Sequence, residues 1–112
     1  MIALNEPLSN GRYEPGDLVR HRRYGYRGVV VSVDDICQAD EAWYQKNQTR
    51  PDRDQPWHHV LVHETSTVTY AAGDNLLPEI EVAPIQHPLV EHFFAGFDGQ
   101  KYIRNERQWP AN

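Results

Sequence analysis

The run from Gly16 to Val33, Gly-Asp-Leu-Val-Arg-His-Arg-Arg-Tyr-Gly-Tyr-Arg-Gly-Val-Val-Val-Ser-Val, limits the fold more than any other part of the chain. It places four arginines between two segments of strand character, one from about Asp17 to His21 and one from about Arg27 to Val33. In the second segment Val29, Val31 and Val33 fall on one face at period two. Gly25 and Gly28 supply bends or bulges on the way into it. The first element is therefore a β-hairpin with a strongly cationic connection.

A chain of 112 residues makes one domain, which buries roughly two thirds of the surface of its unfolded form. A hydrophobic content of 39% and a mean hydropathy of -0.73 leave room for the core of one small barrel or sandwich. There is no apolar run long enough to span a bilayer. The segment Met1 to Pro7 lacks the basic start and apolar stretch of a signal peptide, so a cytoplasmic location is expected. The single cysteine, Cys37, can form no intrachain disulfide and lacks the paired spacing of a structural zinc site.

The net charge of -5 is unevenly distributed. Residues 1–27 carry five Arg against three acidic residues, a net +2, so the remainder stands at -7. A basic stripe on an acidic body with a pI near 5.6 predicts weak non-specific binding to nucleic acid.

Residues 1–12 read as a loose N-terminal arm, residues 13–78 as the ordered barrel domain, and residues 79–112 as an extension that packs on the barrel or on a partner. The acidic pair Asp34-Asp35 ends the second strand, and a short helix from Gln38 to Lys46 is expected, anchored by Trp43 or Tyr44. Pro56-Trp57 opens a third strand through about Glu64, Thr65-Ser66 forms a turn, and Thr67 to Ala71 makes a fourth. Gly73-Asp74-Asn75 breaks the pattern before a short fifth strand at Leu76-Leu77. Five short strands with tight turns and a helical insertion predict a mainly β fold, a small barrel. In the extension, Leu89-Val90 and Phe93-Phe94 form an apolar patch that reads as a short docking helix.

Several motifs then come in one order: Val19-Arg20-His21-Arg22, Tyr24-Gly25-Tyr26-Arg27-Gly28-Val29-Val30, Arg50-Pro51, Asp54-Gln55-Pro56-Trp57, His59-Val60-Leu61-Val62 and Asn75-Leu76. In these residues the chain resembles the YccV-like family, which includes the heat-shock protein HspQ, over about Tyr13 to Pro78. The resemblance implies an SH3-like five-stranded barrel and a preference for hemimethylated DNA. For HspQ-like members it implies work with an ATP-dependent protease of Lon or Clp type in protein quality control, and it admits a homo-oligomer, a trimer. Two positions depart from the family pattern: His58 stands where an aromatic residue is more usual, and Asp35 where proline is common.

The candidate nucleic-acid contacts are Arg20, Arg22, Arg23, Tyr24, Tyr26 and Arg27, guanidinium forks for phosphate beside rings that stack on bases. The competing reading is a solvated strand face whose arginines pair with Asp17 and Asp34. Four phosphates neutralised would give a salt slope of about -3.6, and binding about 150-fold weaker at 200 mM than at 50 mM salt. Trp43, Tyr44, Trp57 and Tyr70 either line a peptide groove or fill the core.

A protein partner, the protease or its substrates, would be met by Trp57, Phe93 and Phe94. On a strand His59 and His63 share a face about 13 Å apart while His58 points the other way, so they do not chelate one ion. No metal site, cofactor or catalytic constellation is expected, Cys37 lacking an orienting partner. The residues favour a non-enzymatic binding protein, with DNA first and a protease adaptor as the alternative.

Overall fold

The computed structural model describes residues 10–105. The expected N-terminal arm therefore lies largely outside the described residues, although Arg12 is in place, its guanidinium paired with Glu14 at 3.0 Å and Asp35 at 2.7 Å. The fold is mainly β. The strands β1 (Leu18–His21) and β2 (Arg27–Asp34) form the hairpin, with Leu18 opposite Val29 and Arg20 opposite Arg27. Next to β2 runs β3 (Trp57–Val62), and β4 (Val68–Ala72) pairs with β3. After a 3-10 turn at Gly73–Asn75, the short β5 (Leu76–Pro78) pairs with β1. Every pairing is antiparallel, and the order β4-β3-β2-β1-β5 fits an SH3-like barrel.

The insertion between β2 and β3 contains α1 (Glu41–Gln45). It is shorter than the sequence suggests because Asp40 caps it, its carboxylate accepting the Trp43 N–H at 2.8 Å. Tyr70 ties the insertion down, donating to the Asp34 carboxylate at 2.6 Å and accepting the Gln38 N–H at 2.9 Å. Beneath it Cys37, Trp57 and Ala72 form a small core with Tyr44 and Tyr70.

Val29, Val30 and Val31 are all fully buried, so both faces of β2 are covered. On one face Val30 packs with Tyr13, Val19, Val60, Ala71 and Leu76. On the other, Leu18, Val29, Val31 and Leu61 meet Ile85, Phe93, Phe94 and Tyr102 from the C-terminal extension. The helix α2 (Val90–Phe93) stops one residue before the expected apolar patch does. Phe94 instead begins β6 (Phe94–Phe97), which pairs with β7 (Tyr102–Arg104) in a second hairpin. Burying Phe93 and Phe94 contributes roughly 1.5–3 kcal/mol each relative to leaving them in water. Among the described residues no helix is long and apolar enough to cross a membrane.

Backbone contacts dock the second hairpin. Gly16, at φ 101°, accepts the Tyr102 N–H at 3.0 Å and donates to the Val30 carbonyl at 2.8 Å. A side chain at Gly16 would run into the Tyr102 carbonyl as well as strain the backbone. The bulge in β2 falls at Val31, between Val30 and Ser32, and not at either glycine. The Val31 carbonyl accepts from Arg104 at 2.7 Å. Gly28 serves close strand approach, since a Cβ there would lie 2.6 Å from a Val60 methyl.

His58, the departure from the family pattern, is fully buried and acts as an aromatic residue with two hydrogen bonds. Its ring meets Tyr13 edge-on at 5.5 Å. Nε2 accepts the Tyr13 N–H at 3.0 Å and Nδ1–H donates to the Ala71 carbonyl at 3.1 Å, which fixes the neutral tautomer. Burial pushes its pKa down from 6.5 to about 4. The native state thus binds fewer protons, so this contribution is complete above pH 6.5 and is lost as pH falls toward 4. The loss amounts to about 3 kcal/mol. Urea unfolding between pH 7 and 4.5 should show the midpoint falling, and His58→Phe should flatten that fall; a wild-type midpoint constant over the interval would contradict the assignment.

Candidate nucleic-acid interface

The loop joining β1 to β2 is built around His21. Its backbone N–H donates to the Tyr26 carbonyl at 2.8 Å, and its carbonyl accepts the Gly25 N–H at 3.0 Å, with Gly25 at φ 76°. The ring Nδ1 accepts the backbone N–H of both Arg23 and Tyr24 at 3.1 Å. That nitrogen must be unprotonated to accept both, and burial together with the Arg23 charge lowers the His21 pKa. Tyr24 stacks on the imidazole at 4.6 Å and Tyr26 lies 5.0 Å from it. A further bond from Arg22 N–H to the Asn75 carbonyl at 2.8 Å ties the loop to the 3-10 turn. The loop is thereby held as a fixed platform.

The four arginines of this region divide into two pairs. Glu79, whose carboxylate has no exposure, accepts from Arg20 at 2.6 Å and from Arg27 at 3.1 Å. Arg27 is itself only 10% exposed and also donates to the carbonyls of Glu81 and Ala83. Among the described residues neither Asp17 nor Asp34 takes an arginine: Asp17 pairs with Lys101 at 3.6 Å, and Asp34 accepts from Tyr70. Arg22 and Arg23 are exposed, the first donating to the Asp74 carbonyl at 3.1 Å and the second lying 5.8 Å from the Tyr24 ring. Among the described residues no carboxylate lies within ion-pair distance of either. Of the six candidate nucleic-acid contacts, Arg22, Arg23 and Tyr24 therefore face solvent together, Arg20 is committed to Glu79, and Arg27 is packed beneath the start of the extension.

Tyr26 is half-buried, its hydroxyl bonded to the Thr69 hydroxyl at 2.8 Å. It lines a cleft of about 340 Å³ together with Tyr24 and His21 of the loop region and Trp43 and Asn47 of the insertion. Trp43 is 38% exposed, 6.0 Å from Trp57 and 5.7 Å from Tyr70. The sequence offers Trp43 or Tyr44 as the anchor of a short helix, and only the three-dimensional fold brings Trp43 into the same cleft as Tyr24. Its spacing from the loop, about twenty residues, carries no pattern that would reveal the cleft.

The residues expected to meet a protein partner are all buried, although Trp57 is among the residues that line the cleft. Trp57 is 1% exposed under the insertion, and Phe93 and Phe94 are buried against the sheet. On this folded chain they offer a partner no surface, because the apolar character that marks them is spent on the core. Cys37 is buried, and among the described residues no group of three His, Cys, Asp or Glu side chains is placed to hold a metal ion.

These features define a small β-domain whose solvent-facing elements are a fixed arginine loop and an aromatic cleft, the makings of a binding module for an anionic partner. The chain belongs to the YccV-like family: the family model described as hemimethylated DNA-binding protein YccV like matches residues 11–101. That family supports DNA binding. The match runs well past Pro78 and takes in the second hairpin as far as Lys101. The chain is also similar to F-box only protein 21 of Homo sapiens, Pongo abelii and Mus musculus, 34% identical in each case over 96 residues. The aligned region is 83% of this chain but 15% of each relative, so the chain spans only a small part of their length.

The Glu79 pair sets an acid limit on the fold. Burial raises the pKa of this carboxyl, but hydrogen bonds and charge from Arg20 and then Arg27 outweigh burial and bring it below 4.5. Its contribution is therefore complete above pH 4.5 and is lost as pH falls through the lower native value. Glu79→Gln should cost about 3 kcal/mol at pH 7, because the buried Arg27 loses its 3.1 Å carboxylate partner and keeps only the exposed Glu81 carboxylate at 3.6 Å. Chemical denaturation should also find the variant less acid-sensitive below pH 4.5; equal stability at pH 7 would show that the pair is not a structural anchor.

Proposed function

We propose that this domain binds duplex DNA through the β1–β2 loop, with Arg22 and Arg23 on phosphates and Tyr24 against a base edge, and that it prefers hemimethylated duplexes. The observation that carries the proposal is the pair of exposed arginines on a loop fixed by His21, with no carboxylate within ion-pair distance among the described residues. A pre-organised loop loses little entropy on binding, and guanidinium forks match phosphate geometry. The methyl of N6-methyladenine lies in the major groove and has to be felt by contact or by shape. Tyr24, 53% exposed at the loop tip, supplies an apolar edge for that contact. A protease-adaptor role would have to use a surface other than Trp57, Phe93 and Phe94.

With two phosphates neutralised in place of four, the salt slope should be about -1.8, and raising salt from 50 to 200 mM should weaken binding about 12-fold. Fluorescence anisotropy with hemimethylated, fully methylated and unmethylated duplexes measures both the slope and the preference. Replacing Arg22 and Arg23 with Ala should abolish most of the affinity with no change in the unfolding midpoint. A slope near -3.6 would mean that Arg20 and Arg27 leave Glu79 for DNA, and absence of binding to all three duplexes would remove the proposal.

A further inference from the structure

The loop accounts for phosphate contacts but leaves the cleft behind it unused. The cleft is continuous with a shallower groove that shares Tyr24, Trp43 and Asn47 and runs out to Lys46 and Gln48. Among the described residues no Asp or Glu lines either part. Two cations lie by the cleft instead: Arg23, 5.8 Å from the Tyr24 ring, and the exposed Lys46, which lines the groove. Tyr24 and Trp43 are the two most exposed rings of the cleft. Its volume of about 340 Å³ sits at the small end of ligand pockets, which run from about 300 to 1,000 Å³. A duplex does not enter such a space, whereas one base does.

We infer, on the strength of the DNA-binding reading, that the cleft between Tyr24 and Trp43 receives a single nucleobase taken out of the helical stack. Aromatic rings accept any base face, and the two cations suit the phosphates on either side of the displaced nucleotide. The Asn47 side chain, in both parts of the cleft, offers an amide donor and acceptor to a base edge. With Nδ1 accepting two loop amides, His21 carries its ring proton on Nε2, a second donor among the lining residues. Base displacement costs least where the base is already unpaired. The domain therefore favours duplexes that contain an unpaired base over the same duplexes fully paired.

The test compares two otherwise identical duplexes, one carrying a single unpaired adenine. The wild-type chain should bind the interrupted duplex about tenfold more tightly, within the range that one base stacked on a protein ring contributes. Trp43→Ala should erase that difference while leaving affinity for the paired duplex within about twofold, and Trp43→Phe, which keeps a ring, should retain most of it. Arg22→Ala should weaken both duplexes alike. Equal wild-type affinity for the two duplexes, or a preference that survives Trp43→Ala, overturns the base-receiving cleft while the loop reading stands. Failure to bind either duplex overturns both.

Discussion

One carboxylate decides how this domain distributes its positive charge. Glu79 sits where the chain leaves β5, with no exposure of its side chain, and it takes Arg20 from β1 and Arg27 from β2. An ion out of water needs partners that satisfy its lone pairs, and two guanidinium groups do so here. The same contact fixes the direction of the extension, because Arg27 also donates to the carbonyls of Glu81 and Ala83. Two of the four arginines that make the hairpin look basic are thus structural. The two that remain are concentrated on one loop tip, and the loop is held by hydrogen bonds to His21 and by the Arg20 guanidinium, which donates to the Gly25 carbonyl at 2.8 Å.

The extension is the second consequence. A five-stranded sheet with fully buried valines on both faces needs a cover on each, and the residues after Glu79 supply one of them. Ile85, Phe93, Phe94 and Tyr102 do so, and the backbone bond from Tyr102 to Gly16 sets their position. The family match runs past Pro78 to residue 101, just before β7.

The first hairpin, the third to fifth strands and the mainly β class were legible because period-two apolar residues and turn-forming residues mark them locally. The second hairpin was legible in part. Phe93-Phe94 reads as a helix face, yet Asp98-Gly99 between Phe97 and Tyr102 is a turn signal, and the structure uses it: Asp98 accepts from the Gln100 and Lys101 N–H groups and Gly99 has φ 97°. The partnership of Arg20 and Arg27 with Glu79 spans more than fifty residues and has no local pattern, so the sequence suggested Asp17 and Asp34 in its place. The run Val29-Val30-Val31 departs from period-two alternation. Three consecutive valines mark a strand buried on both sides, which already implies that the extension is part of the fold.

The central claim is that Glu79 withholds Arg20 and Arg27 while Arg22 and Arg23 meet the partner. Arginine Nε–H signals in heteronuclear NMR spectra of the labelled chain, followed as hemimethylated duplex is added, test it most directly. The Arg22 and Arg23 signals should shift and those of Arg20 and Arg27 should stay in place. Shifts at Arg27 as large as those at Arg22 and Arg23, or none at Arg22 and Arg23, would contradict it.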